Sequence, residues 1–205
     1  MMNDYKDNKT LTYKSVIKQT IEDIGPISVD TFLPDRHITL HESKHTFTAL
    51  GEIYHIDNNL TITYSEKNSN IDLMEYILIL HYLKNKYIPK KNDSFISYRE
   101  MPGGAFYYKP FKARSTDMLV SVIQNDIDRL KSNLSQFDYT FEKNNDLTVV
   151  IRPLGVLEML LVYNMSDEEF PAEAELFFDS SIKQIYSTDN VAALAHVVCK
   201  KLMVS

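Results

Sequence analysis

The chain has 205 residues, 44% of them apolar and 24% charged, with a formal net charge of −6. That is the composition of a soluble globular domain able to bury its own core. It argues against a nucleic-acid partner, since phosphate contacts need clustered Lys and Arg. The single cysteine, Cys199, excludes intrachain disulfides and any cysteine-built zinc or iron–sulfur site.

Residues 1–10 open on MMNDYKDNK, which reads as a flexible polar tail, ahead of one domain over residues 11–205. No basic-then-apolar leader pattern stands there. From Leu11 to Ile24, Val16, Ile17, Thr20, Ile21 and Ile24 share one helical face, and Gly25-Pro26 stops the helix. Between Ser28 and Tyr64, short β-branched and aromatic runs (ISVDTF, HITLHE, TFTAL, EIYHI, LTITY) alternate with turn residues. Asp57-Asn58-Asn59 suits a hairpin turn with Ile53–His55 and Thr61–Thr63 on its arms, so an antiparallel sheet is expected.

Ser69 or Asn70 then reads as the cap of a helix with Asp72 in its first turn. Leu73 to Leu83 is apolar nearly all round, as in a helix buried on more than one side. It holds Glu75 and His81 and is far too short to span a membrane, so no membrane partner and a cytoplasmic location are expected. A further helix is predicted from about Ser115 to Leu134, with Leu119, Val122, Ile123, Ile127 and Leu130 inward. Leu147–Ile151 and Val156–Tyr163 read as strands broken at Pro153 and Gly155, and residues 173–178 as another strand. A last helix begins near Thr188 or Asp189, with Val191, Leu194, Ala195, Val198 and Leu202 as its core stripe. The pattern is α+β: about four helices covering a mostly antiparallel sheet in one domain.

Two irregular segments gather charge, proline and aromatic rings. The first, SYREMPGGAFYY, runs from Ser97 to Tyr108. Pro102-Gly103 suits a type II turn, and Gly104 allows a close backbone approach. As a ligand loop, Arg99 would hold an anionic group while Phe106 and Tyr107 form a wall. As plain structure, it would be a hairpin whose rings complete the core. The second, DEEFPAEAELFFDSS, runs from Asp167 to Ser181, and its six acids without a base equal the whole charge excess. Asp167, Glu168 and Glu169 could bind a hard cation or serve as acid and base, although their spacing fits neither a calcium loop nor a metalloprotease helix. The structural alternative is a solvated loop entering a strand. Asp179-Ser180-Ser181 reads as a helical cap.

His37, His41 and His45 recur every four residues, but their neighbours prefer strands, so no metal site is assigned. His81, in the most apolar helix, is either a hydrogen-bonded core residue or a ligand or proton-transfer group. No nucleophile motif stands out, and Cys199 near the end of the last helix reads as an idle thiol.

Leu80-His81-Tyr82-Leu83, then Ser97 through Phe106, then Asp167–Ala172 and Leu176–Ser181 resemble, in this order, an uncharacterised family of bacterial and archaeal domains, domain-of-unknown-function family 3786. The resemblance covers roughly residues 12–202. It implies no assigned activity and no known cofactor. It implies a shared site carried by Arg99, Glu100, Gly103, Gly104, Asp167, Glu168, Glu169 and Asp179. Some relatives resemble proteins of anaerobes, with an attached iron–sulfur domain, in settings of corrinoid-dependent one-carbon metabolism; the single cysteine here cannot ligate a cluster. The resulting expectation is a non-catalytic protein binding a small molecule or cofactor where the two segments meet. The alternatives are an enzyme using Glu100, Asp167, Glu168 or Glu169, and an interaction module docking a protein partner on the acidic segment. Oligomeric state is not legible.

Overall fold

A computed structural model of the protein describes residues 2–26, 39–41, 44–67, 69–85, 89–92, 94–142 and 146–204. The fold is α+β with antiparallel strand pairing, as the hydrophobic periodicity implies. It forms two compact units, Met1–Ile88 and Pro89–Ser205. Six α-helices occur among the described residues, where the sequence pattern outlines about four.

In the first unit α1 spans Met2–Ile24. It starts well before Leu11, because apolar periodicity marks only the part of a helix that packs, and polar turns can extend it. Ile17 and Thr20 are buried, and Gly25 ends the helix at φ +73° with its N–H on the Ile21 carbonyl. Four strands follow in hairpin order: β1 Thr39–His41, β2 Lys44–Ala49, β3 Glu52–Ile56 and β4 Ile62–Tyr64. The two-residue turn between β2 and β3 is Leu50-Gly51, with φ of 51° and 75°, the double positive pair that matches strand twist. At the β3–β4 turn the Asp57 carboxylate accepts from Asn59 N (2.9 Å) and Thr61 N (2.8 Å), as the Asp-Asn-Asn signal predicts. His41 lies in β1 and His45 in β2; the ISVDTF run, His37 and Glu42-Ser43 fall outside the described residues.

Helix α2, Leu73–Lys84, is capped by Asp72, not by Ser69 or Asn70. The Asp72 carboxylate accepts from Met74 N at 2.8 Å and Glu75 N at 3.4 Å. A cap acts only from the position just before the first helical residue, and Leu73 is that residue. Helix α1 packs on α2, where Lys84 Nζ sits 2.7 Å from Asp23 Oδ2.

In the second unit the strands are β5 Phe95–Ser97, β6 Asp138–Glu142, β7 Leu147–Leu154, β8 Leu157–Asn164 and β9 Glu173–Asp179. They pair antiparallel in the order β6-β7-β8-β9-β5. Register shifts between Ile151 and Leu154, and Gly155 turns the hairpin at φ +54°, which accounts for the Pro153–Gly155 break. Helices α3 Gly104–Arg114, α4 Thr116–Ile123, α5 Ile127–Leu134 and α6 Thr188–Met203 pack with this sheet and with one another. The predicted helix over Ser115–Leu134 is two helices. Gln124 sits at φ +50°, and Asp126 caps α5 through Arg129 N at 3.1 Å. Within α4 Leu119 and Ile123 are the buried positions, and Val122 between them is exposed and not inward. The α6 stripe of Val191, Leu194, Ala195, Val198 and Leu202 is completely buried, as predicted.

Candidate functional site

Ser97 to Tyr108 is a strand end, a 3-10 turn, a β-turn and the start of a helix, so its aromatics do not form a hairpin arm. Ser97 closes β5 and caps the 3-10 turn Tyr98–Glu100. Its hydroxyl accepts from Arg99 N (3.3 Å), while Glu100 Oε1 accepts from Ser97 N (2.8 Å), a reciprocal capping box. The next turn, Met101 to Gly104, is closed by Gly104 N on the Met101 carbonyl at 2.8 Å. Gly103 has φ 72° and ψ 0°, the third position of a type II turn as the Pro-Gly pair predicts. Gly104 is required for another reason: a Cβ there would lie 2.0 Å from the Tyr98 carbonyl oxygen. The Thr188 hydroxyl, at the start of α6, donates to the Pro102 carbonyl at 2.8 Å and ties the turn down.

This frame sets one ring inward and others outward. Tyr98 stacks on Phe111 at 4.1 Å, and Phe111 meets Phe178 of the sheet edge-on at 6.3 Å. Phe106 is 89% and Tyr107 63% exposed. Arg99 sets its guanidinium carbon 3.8 Å from the centre of the Tyr108 ring, a cation–π contact. Among the described residues it has no ion-pair partner, so its N–H edges are open. With glycine as N-cap, no side chain closes the first turn of α3, whose N-terminal end is electropositive. Pro110 has no N–H to give the Phe106 carbonyl one turn back. The first turns of α3 thus carry two exposed rings, Phe106 and Tyr107, and a third, Tyr108, that holds the guanidinium.

The acidic segment is built differently. Asp167 Oδ1 accepts from Glu169 N (2.8 Å) and Phe170 N (2.7 Å), closing a local turn. Those two N–H groups, Phe170 first, hold the Asp167 carboxyl below the usual carboxylate range. Glu168, Glu169 and Phe170 are exposed. Ser166 N donates to Asn125 Oδ1 at 2.9 Å, which anchors the segment on the α4–α5 corner. Asp179 is buried and caps the 3-10 turn Ser180–Gln184 through Ser181 N at 2.9 Å, as its sequence suggests. It also accepts from Asn92 N at 3.1 Å. Among the described residues no hydrogen bond or ion pair joins residues 97–108 to residues 167–170. Their elements meet further along, where Lys112 of α3 lies 3.2 Å from Glu173 of β9.

His81 belongs to the first unit, where its Nε2 lies 3.2 Å from the Thr20 hydroxyl of α1. Two buried carboxylates escape the sequence reading. Glu75 Oε2 accepts from Tyr54 Oη (2.8 Å) and Tyr64 Oη (2.7 Å). Glu158 is held between Arg152 Nε (3.0 Å) and Lys91 Nζ (3.1 Å). Each is a lone acid inside an apolar run, which is the signal that could have found it. Among the described residues no group of three or more His, Cys, Asp or Glu side chains could hold a metal, and no helix is long and apolar enough to cross a membrane.

The fold and this surface define an α+β protein with antiparallel strand pairing and an aromatic and cationic helix start on its second unit. It belongs to the family described as Domain of unknown function (DUF3786), whose profile matches residues 36–201. No curated protein and no solved structure matches the chain.

Proposed function

We propose that this chain is a cytoplasmic, non-catalytic binding or accessory protein that takes a small anionic molecule with a flat apolar body at the start of α3. One observation carries the reading: the Arg99 guanidinium sits over the Tyr108 ring with no acid paired to it among the described residues, in a segment whose Phe106 and Tyr107 are exposed. An Arg engaged through a ring face keeps its N–H donors for an incoming anion. The carboxylates that an enzyme would need support this by their own engagements. Glu100 caps its turn, Asp167 closes its loop, and Asp179 is buried against backbone N–H groups.

The test is calorimetric titration with a panel of nucleotides, flavins, pterins and corrinoids. Corrinoids are included because the family resemblance points to anaerobic one-carbon metabolism. Saturable binding by one class, weakened about fivefold or more in Arg99→Gln and in Phe106→Ala, is expected. No saturable binding across the panel would reject the reading. A second reading, docking of a basic protein on the acidic segment, draws on exposed Phe170 following three consecutive acids. It predicts partner binding that weakens steeply with salt. A carboxylate enzyme would show metal-dependent turnover that disappears in Glu168→Gln or Glu169→Gln.

A further inference from the structure

A groove of about 440 Å³ opens between α1 and α2 in the first unit, independent of the surface at α3. Ile17 and Ile21 of α1 form one wall, and Leu73 and Tyr76 of α2 the other. The Tyr76 hydroxyl is engaged away from the groove, donating to the Leu60 carbonyl at 2.8 Å, so the residue offers its ring. The walls are therefore apolar. The rim is not: it carries Lys14, Lys18 and Glu22, with Lys14 and Lys18 one helical turn apart. Lys18 is 3.9 Å from Glu22, a loose pair between exposed side chains. Lys14 has no hydrogen bond or ion pair among the described residues. The volume lies within the roughly 300–1,000 Å³ of small-molecule sites. An apolar slot with an uncommitted cation at its mouth complements a ligand whose body is apolar and whose end is anionic.

We infer that this groove binds a single-chain carboxylate amphiphile. The alkyl chain lies between Ile17, Ile21, Leu73 and Tyr76, and the carboxylate pairs with Lys14. The α1 wall precedes the matched residues 36–201, so the site is assembled partly from sequence outside the family profile. Lysine suits the role because its stem covers apolar surface while the ammonium stays in water at the rim.

Titration of the full chain with decanoate and with 1-decanol, both below micelle formation, tests this. Decanoate is expected to saturate a single site and to bind about fivefold more tightly than decanol, the size of one exposed ion pair. Lys14→Ala should bring decanoate down to the decanol level. Ile21→Asp, at a half-buried position and with an intact fold verified by circular dichroism, should weaken both ligands about tenfold or more by placing a charge among the apolar walls. The proposal is overturned if decanoate does not saturate, if decanol binds as tightly, or if neither variant changes the affinity. Co-sedimentation with anionic phospholipid vesicles in the absence of decanoate binding would also overturn it, assigning the rim to a membrane surface.

Discussion

Replacing Glu75 should show what holds α2 to the sheet of the first unit. Its carboxylate is buried at 6% exposure and accepts from two phenols, Tyr54 at 2.8 Å and Tyr64 at 2.7 Å. The rings of Tyr54 and Tyr64 also stack at 5.3 Å, so the three side chains form one unit. In Glu75→Leu both donors lose their acceptor. Tyr54 is fully buried and cannot reach water, which costs about 1–3 kcal/mol. Tyr64 is half-buried and partly rehydrates, adding about 1 kcal/mol. The total expected loss is thus about 2–4 kcal/mol. Glu75→Gln keeps the shape and one acceptor oxygen but loses the charge, which roughly halves the strength of each bond, for a cost of about 1–2 kcal/mol. Urea unfolding followed by circular dichroism measures both, with Tyr54→Phe completing a double-mutant cycle whose coupling should reach about 1 kcal/mol. The competing physics is desolvation of a buried carboxylate, which can make an apolar replacement neutral or better. A Glu75→Leu protein within about 0.5 kcal/mol of wild type, or a cycle without coupling, would show that desolvation wins and that these bonds do not hold α2 in place.

The same cluster predicts an alkaline limit. Burial, and after it the Glu75 charge, pushes the Tyr54 phenol above the ordinary tyrosine range; for Tyr64, burial and then its hydrogen bond to Glu75 do the same. The unfolded chain ionises these phenols near pH ~10 while the folded one resists, so their stabilising contribution is complete below about pH 10 and is lost as pH rises beyond it. Chemical denaturation across that range should show the fall, and Tyr54→Phe should flatten it. Gly104→Ala should destabilise more than Gly103→Ala in thermal melts. The first drives a Cβ into the Tyr98 carbonyl, whereas the second has open space and faces only a positive-φ penalty of about 1–2 kcal/mol; equal losses would count against the close approach. Cys199 is fully buried and its thiol is pushed up to about 12 by burial, so alkylation at neutral pH should be negligible in the native protein and rapid in denaturant.

Legibility in the sequence follows the range of the interaction. Local signals suffice where a few neighbouring residues decide the outcome. The α6 stripe, the Asp57 turn, the type II turn at Pro102-Gly103 and the Asp179 cap are all of this kind. Errors arise where two local signals compete. Ser69, Asn70 and Asp72 can all cap, and the first helical residue selects among them. A continuous stripe from Leu119 to Leu130 hides the break at Gln124, whose carbonyl accepts from the Tyr163 hydroxyl of β8 at 2.7 Å. The aromatic run after Gly104 reads as a hairpin arm or a ligand loop, whereas it starts helix α3 on the cradle formed by Tyr98, Met101 and Thr188.

Periodicity and turn chemistry are written over a few residues at a time. They are enough for the α+β class, the antiparallel pairing and most element positions, and the ordered motifs are enough for the family. Three-dimensional packing was needed to lay the Arg99 face on Tyr108 while Phe106 points outward. Packing also brought two tyrosines from β3 and β4 onto Glu75 and enclosed Glu158 between Arg152 and Lys91. Those arrangements depend on how strands pair and how helices cross, and a buried charge finds its partner only once residues distant in sequence become neighbours.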